Sequence, residues 1–334
     1  MASEHPKSPV LPPLPLVEWE ATKETLHRYC QVAGKVRMEL SPFQNHWWHV
    51  TFHVTTRGLS TGPIPYGLHG NMTFDISLDL FDNKLAVTTS DEDGFFFSLD
   101  DLPVAEFYRR LFDGLESLGI DAAINPKPFD LDDEQTLETN TFHYVCDRDY
   151  VRRYHQILSW VDQVFKEFSG RFNGKTSPVQ LFWHSFDLAV TRFSGKQVTL
   201  PEDTDSVTRE AYSHEVISFG FWPGDANVHE PAFYSYTAPE PEDLTEHPLR
   251  PEGANWLPEG GTALLMYEEV RNSAFPEKTL LEFMESAYQA GARSAEWNID
   301  ALRTSPPERE AAKLGRDSPR RYHGLSEREV RGGH

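Results

Sequence analysis

Residues 34–57 read GKVRMELSPFQNHWWHVTFHVTTR, and residues 170–192 read GRFNGKTSPVQLFWHSFDLAVTR. Gly34, Ser41-Pro42 and Gln44 align with Gly170, Ser177-Pro178 and Gln180 at a constant offset of 136. Trp48-His49 and Thr56-Arg57 then align with Trp183-His184 and Thr191-Arg192 at 135. Eight identities fall in this 24-residue window, several times what unrelated segments share. The recurrence extends outward: Tyr29 answers Phe165, Val32 answers Phe168, and Phe97-Ser98 answers Tyr234-Ser235. A period this long exceeds that of stacked repeats and points to duplication of a whole unit.

The surrounding elements follow the same order twice. A helix is expected over Val17–Val32, capped at Gly34, and a second over Asp149–Phe168, ending at Gly170. Period-2 alternation of aromatic and β-branched residues predicts strands at Trp47–Thr56 and Val179–Arg192. Thr73–Leu80 and Lys84–Thr89 flank Asp82-Asn83, a hairpin turn signal, and Phe95–Leu99 is a further strand. Tyr212–Phe221, Ala232–Thr237 and Thr262–Tyr267 supply strands to the second half. Pro103 opens a helix that Gly119 stops near Leu118, and Glu277–Ala290 is the closing helix. The fold class is therefore α+β: two diverged α-β-β-β-α units with largely antiparallel sheets covered by helices. The expected division is an extended or disordered arm over 1–15, a first unit over 16–120 and an acidic connector over 121–147. A second unit covers 148–297, with a Pro/Glu/Gly-rich insert at 238–261, and 304–334 form a disordered tail.

Composition narrows the function. A formal charge of −21 repels phosphate backbones and argues against nucleic-acid binding. The two cysteines, Cys30 and Cys146, lack metal-ligand spacing and fit a reducing, cytoplasmic compartment. No run approaches the ~20 apolar residues that cross a bilayer, so no membrane partner is expected. Eight Trp, 22 Phe and 12 Tyr can furnish both a core and an aromatic pocket.

Familiar catalytic motifs fail on inspection. Gly170–Thr176 (GRFNGKT) imitates a phosphate loop, but has three residues between its glycines instead of four and leads from helix to strand. No G-x-S-x-G, H-E-x-x-H or G-x-G-x-x-G is present. His46, His49 and His53 crowd together, yet on a strand the last two stand about 13 Å apart, too far to share a metal ion. A metal would have to be gathered across strands, from His49, His184, His214 and Glu215.

The Trp-His…Thr-Arg element carries the site expectation. Alternation places Trp48, Val50, Phe52 and Val54 on one face and His49, Thr51, His53, Thr55 and Arg57 on the other. In the second copy His184 shares its face with apolar residues, so both faces are buried or a bulge shifts the register. Packing about a pseudo-twofold would converge the two elements on one pocket. Trp48, Trp183, Arg57, Arg192 and Tyr212 would bind a small anionic molecule; His49, His184 and His214 would move protons, with Glu215 orienting an imidazole. The Arg209–Glu215 run, entering an aromatic strand, suits a wall of that pocket. The leading expectation is a small-molecule-binding protein, as an enzyme with His acid/base chemistry, and the insert as a lid. The alternatives are a noncatalytic protein-interaction module and a cross-strand His/Glu metalloenzyme. Cofactor and oligomeric state are left undefined by these features.

The runs Gln44–His49, Gly174–Gly195 and Glu210–Gly224 resemble a microbial family catalogued as domain of unknown function 5996. The similarity spans about Pro12–Trp297. It implies that both halves belong to one unit and carries no catalytic residue or cofactor across.

Overall fold

A computed structural model describes residues 11–131 and 133–304. The first ten residues of the expected arm and all of the expected tail beyond Thr304 lie outside the described residues. The first half begins with helix α1 (Leu16–Leu40) and a short 3-10 segment (Asn45–Val50). Strands β1 (His53–Val54), β2 (Gly58–Ser60), β3 (Ile64–Tyr66), β4 (Met72–Asp79), β5 (Lys84–Thr89) and β6 (Gly94–Ser98) follow, and then α2 (Val104–Ser117). The second half runs α3 (Arg148–Gly170), β7 (Gln180–Phe182), β8 (Asp187–Gln197), α4 (Ser206–Ala211), β9 (His214–Trp222) and β10 (Ala232–Ala238). It closes with β11 (Asn255–Trp256), β12 (Ala263–Met266), α5 (Tyr267–Asn272), α6 (Pro276–Ser294) and α7 (Ile299–Leu302).

The fold is α+β with two antiparallel sheets. One has the order β1-β2-β4-β5-β6 with β3 beside β4, the other β11-β12-β10-β9-β8-β7. They meet edge to edge where Phe52 and Leu181 exchange two backbone hydrogen bonds of 2.8 Å. Helices cover the sheets through aromatic contacts. Phe107 of α2 stacks on Tyr29 of α1 and meets Phe97 of β6 edge-on, while Phe168 of α3 packs against Phe219 of β9.

Helix α1 is buried on nearly every side, polar residues included. A buried polar side chain is tolerated only with a partner, and the 121–147 connector supplies several. Gln31 Nε2 donates to Phe129 O and Gln31 Oε1 accepts from Phe129 N, both at 2.8 Å. Lys35 donates to Asn125 O and Lys127 O, and Arg28 is paired with Asp133. At the other terminus Leu11 and Leu14 are buried, and the Tyr267 hydroxyl donates to Pro12 O.

Three local expectations are overturned. The helix does not stop at Gly34. It runs on to Leu40, and Gly34 is where the Trp183 indole lies so close that an added Cβ would stand 2.2 Å from it. The strand expected over Trp47–Thr56 is mostly a 3-10 turn; only His53–Val54 pairs as a strand. His46 (φ 56°) and Trp47 (φ 60°) both adopt the left-handed conformation, which breaks the alternation on which the two-face reading rested. Val179–Arg192 is not one strand but the β7–β8 hairpin, with Trp183–Phe186 as its turn and Phe186 at φ 60°. That turn removes the conflict of phase in the second copy.

Both halves thus run helix, antiparallel sheet, helix, although α4 interrupts the second half and β12 there sits between β10 and β11. The recurrent sequence element, however, does not fall at equivalent places. Trp48-His49 precedes β1, whereas Trp183-His184 lies between β7 and β8. Arg57 is in the β1–β2 turn, whereas Arg192 is inside β8.

Candidate functional site

The left-handed pair His46-Trp47 re-aims the chain so that His46 enters a polar and aromatic cluster. Two consecutive non-glycine residues in this region cost of order 1–3 kcal/mol each, and such strain concentrates at functional sites. Glu210, in the last turn of α4, holds the segment. The His46 backbone N–H donates to Glu210 Oε1 at 2.7 Å, and His46 Nδ1 is 3.2 Å from Glu210 O. On the other side of the ring Lys175 Nζ is 2.7 Å from His46 Nε2. Lysine can only donate, so Nε2 accepts and Nδ1 carries the ring proton toward the Glu210 carbonyl. One imidazole tautomer is therefore selected from both ends.

Lys175 sits among rings, its Nζ 5.2 Å from the Trp48 centroid and 4.7 Å from that of Phe193. His46 is 4.6 Å from Phe193, 5.5 Å from Trp48 and edge-on to His214 at 5.6 Å. Burial lowers the Lys175 pKa, with Glu210 opposing. Burial, then the neighbouring Lys175 charge, lowers that of His46. Both shifts run toward the uncharged forms.

Trp48 also lines a cleft of about 640 Å³ between the C-terminal end of α3 and the β1–β7 seam. Its wall includes His53, Thr176, Ser177 and the Asp162–Lys166 ion pair (2.6 Å). Arg37 lies close enough to help lower the pKa of His49 and His53, after burial, which dominates in each. Arg37 itself is 8% exposed, with Nε and Nη1 unpartnered, and burial lowers its pKa to about 10.

The structure brings together only part of the expected site. Trp48 and His214 join the His46 cluster. His49 stands behind it, stacked on Trp47 at 5.6 Å and accepting from Gln44 N–H. Tyr212 turns to the Tyr236 hydroxyl at 3.3 Å. Trp183 and His184 lie in the β7–β8 turn, where His27 Nε2–H donates to both of their carbonyls at 2.9 and 3.1 Å. Burial lowers the His184 pKa against the opposing charges of Asp187 and Asp130.

The arginines do not converge. Arg57 is half exposed and pairs with Asp79 and Asp82, both at 2.7 Å. Arg192 is enclosed by Phe168, Phe172 and Tyr288, its guanidinium carbon 3.5 Å from the Phe168 centroid, and donates to Phe168 O. Glu215 faces a separate cavity of about 220 Å³ with Ser294 and Trp297, and has Lys196 at 3.6 Å. Among the described residues no group of three or more His, Cys, Asp or Glu is placed to hold a metal ion. The cross-strand metal set of His49, His184, His214 and Glu215 is therefore not assembled, because those side chains occupy different parts of the fold.

Sequence reasoning missed Lys175, Glu210 and Phe193, and considered His46 only as a metal ligand, not as a member of the site. Lys175 lies within the phosphate-loop imitation, whose spacing and helix-to-strand context do not fit that motif. Glu210 belongs to the Arg209–Glu215 polar run. Nothing local links either of them to His46, which is more than a hundred residues away.

Fold and cluster together define an α+β protein with a His–Lys couple beside an aromatic-edged cleft. The chain belongs to a family of unknown function, DUF5996, whose model matches residues 11–304. No curated protein and no solved structure matches it. Among the described residues no helix is long and apolar enough to cross a membrane.

Proposed function

We propose that the protein binds a small anionic molecule in the cleft at Trp48 and that His46, with Lys175, performs acid/base chemistry on it. The observation that carries this reading is the 2.7 Å contact between Lys175 Nζ and His46 Nε2, with the imidazole fixed from behind by Glu210. A base oriented by a third group is the arrangement general acid–base catalysis requires. The anionic class is supported by the two positive charges that act on His53 of the cleft wall, Arg37 and Lys166, the latter shared with Asp162, in a chain whose net charge is −21. His214 and Trp48 take part through their ring contacts with His46. Arg57 and Arg192 stand apart from this cluster, held by Asp79 and Asp82 and by the Phe168 ring respectively.

A cytoplasmic setting is supported by Cys30 and Cys146, both free and buried. We also infer that the halves are diverged copies, which their shared order of elements and the seam between their first strands support.

Native mass spectrometry of untagged protein tests the binding. Wild type is expected to retain a small anion, or to take up glycolate, while Lys175→Met and His46→Asn do not. Equal retention by all three would overturn the assignment to this couple.

A further inference from the structure

The geometry points to Lys175 as a nucleophilic amine that forms an imine with a small aldehyde or ketone bearing an anionic group. This rests on the binding reading above and names the reacting atom and the substrate class within it. An amine is useful as a nucleophile when it is free, when a base stands within hydrogen-bond reach, and when that base is itself oriented. Lys175 meets all three conditions. It forms no ion pair among the described residues, its nitrogen is 2.7 Å from His46 Nε2, and His46 is aligned by Glu210 through Nδ1 and through its backbone N–H. The Trp48 and Phe193 rings flank the ammonium position and confine the stem, while the residue remains exposed to solvent. Lys278, which is 72% exposed and loosely paired with Glu282, shares the side-chain type and has none of this framework.

The step balances without an oxidant or reductant. Once the Lys175 ammonium has lost a proton to solvent, its lone pair adds to the carbonyl carbon, forming a C–N bond as the C=O π bond breaks. One N–H proton passes to His46 Nε2, and the resulting imidazolium returns it to the carbinolamine oxygen. Loss of the second N–H proton together with the hydroxyl releases water and leaves the C=N bond. Trp48 and the cleft wall would position the remainder of the substrate.

The test is reductive trapping on the full chain, with glyoxylate as probe and cyanoborohydride as reductant, read by peptide mass spectrometry. Lys278 serves as internal reference. Lys175 is expected to be labelled at least about tenfold faster than Lys278, a modest fraction of the ~10²-fold or more that a positioned acid/base group supplies. In His46→Asn, whose new residue tolerates the left-handed backbone, that advantage should vanish. Labelling of Lys175 no faster than of Lys278, or an advantage undiminished in His46→Asn, would overturn the proposal. Glycolate, which has no carbonyl to attack, separates the two levels. If it still binds while Lys175 is not preferentially trapped, the imine fails and the pocket stands; if neither occurs, the binding reading itself has failed.

Discussion

Arg192 was expected to hold an anion, and its surroundings show why it cannot do so from where it lies. It is 2% exposed, and among the described residues no carboxylate pairs with it; burial brings its pKa down to about 10. Its stem and guanidinium instead fill the space between α3 and α6. Arg192→Met should therefore be neutral or stabilising, since it removes a desolvated charge and strands no partner carboxylate. Arg192→Ala should cost about 3–5 kcal/mol through the cavity it opens. Urea unfolding of the two variants checks the pair, and neither should alter ligand binding as long as the protein is folded. Gly34 teaches a similar lesson. A glycine after a run of helical residues reads as a stop, but this one leaves room for the Trp183 indole packed against it. Gly34→Ala is expected to lose about 1–3 kcal/mol by overpacking, seen as a lowered urea midpoint at unchanged slope. At this scale the sequence exposed His46, Trp48 and His214 as chemically notable. It could not expose Lys175 or Glu210 as their partners, because only tertiary contact joins them.

Elements whose ends carry explicit chemical signals were legible. The β4–β5 hairpin turns at Asn83, which adopts φ 53°, and α2 ends before Gly119 at φ 72°. Elements broken by residues that give no turn signal were not legible. Trp47 and Phe186 are strand formers by propensity, and both take left-handed conformations. The connector at 121–147 read only as acidic and irregular, yet its carbonyls satisfy the buried polar side chains of α1. That predicts a latch at Gln31. Gln31→Leu would leave the Phe129 N–H and C=O unpartnered, at about 1–3 kcal/mol for each group left buried. Hydrogen exchange should then rise in the connector around Phe129 more than in β4 or β5. Equal protection in the variant would mean that the latch contributes nothing.

Over the whole molecule, buried neutral histidines tie stability to pH. His27 is almost fully buried, and burial, the largest effect, lowers its pKa from 6.5 to about 4, with Glu24 opposing. The unfolded chain therefore takes up this proton first as pH falls. The stability due to neutral His27 is fully present above about pH 6.5 and is lost between there and about pH 4, on the order of 3 kcal/mol in all. His46, His49, His53, His143 and His184 shift in the same direction, chiefly through burial. Urea-derived unfolding free energy should decline across this window, and His27→Gln should flatten the slope by close to one proton. The claim on which the functional account depends is that ligand and His–Lys couple share one site. Titration of nitrogen-15-labelled protein with glycolate, observed at the Trp48 indole and the His46 ring nitrogens, tests it most directly. The account predicts saturable shifts at both with a common midpoint, absent in Lys175→Met, while the indoles of Trp19 and Trp297 stay still. Shifts confined to other tryptophans, or none at His46, would contradict it.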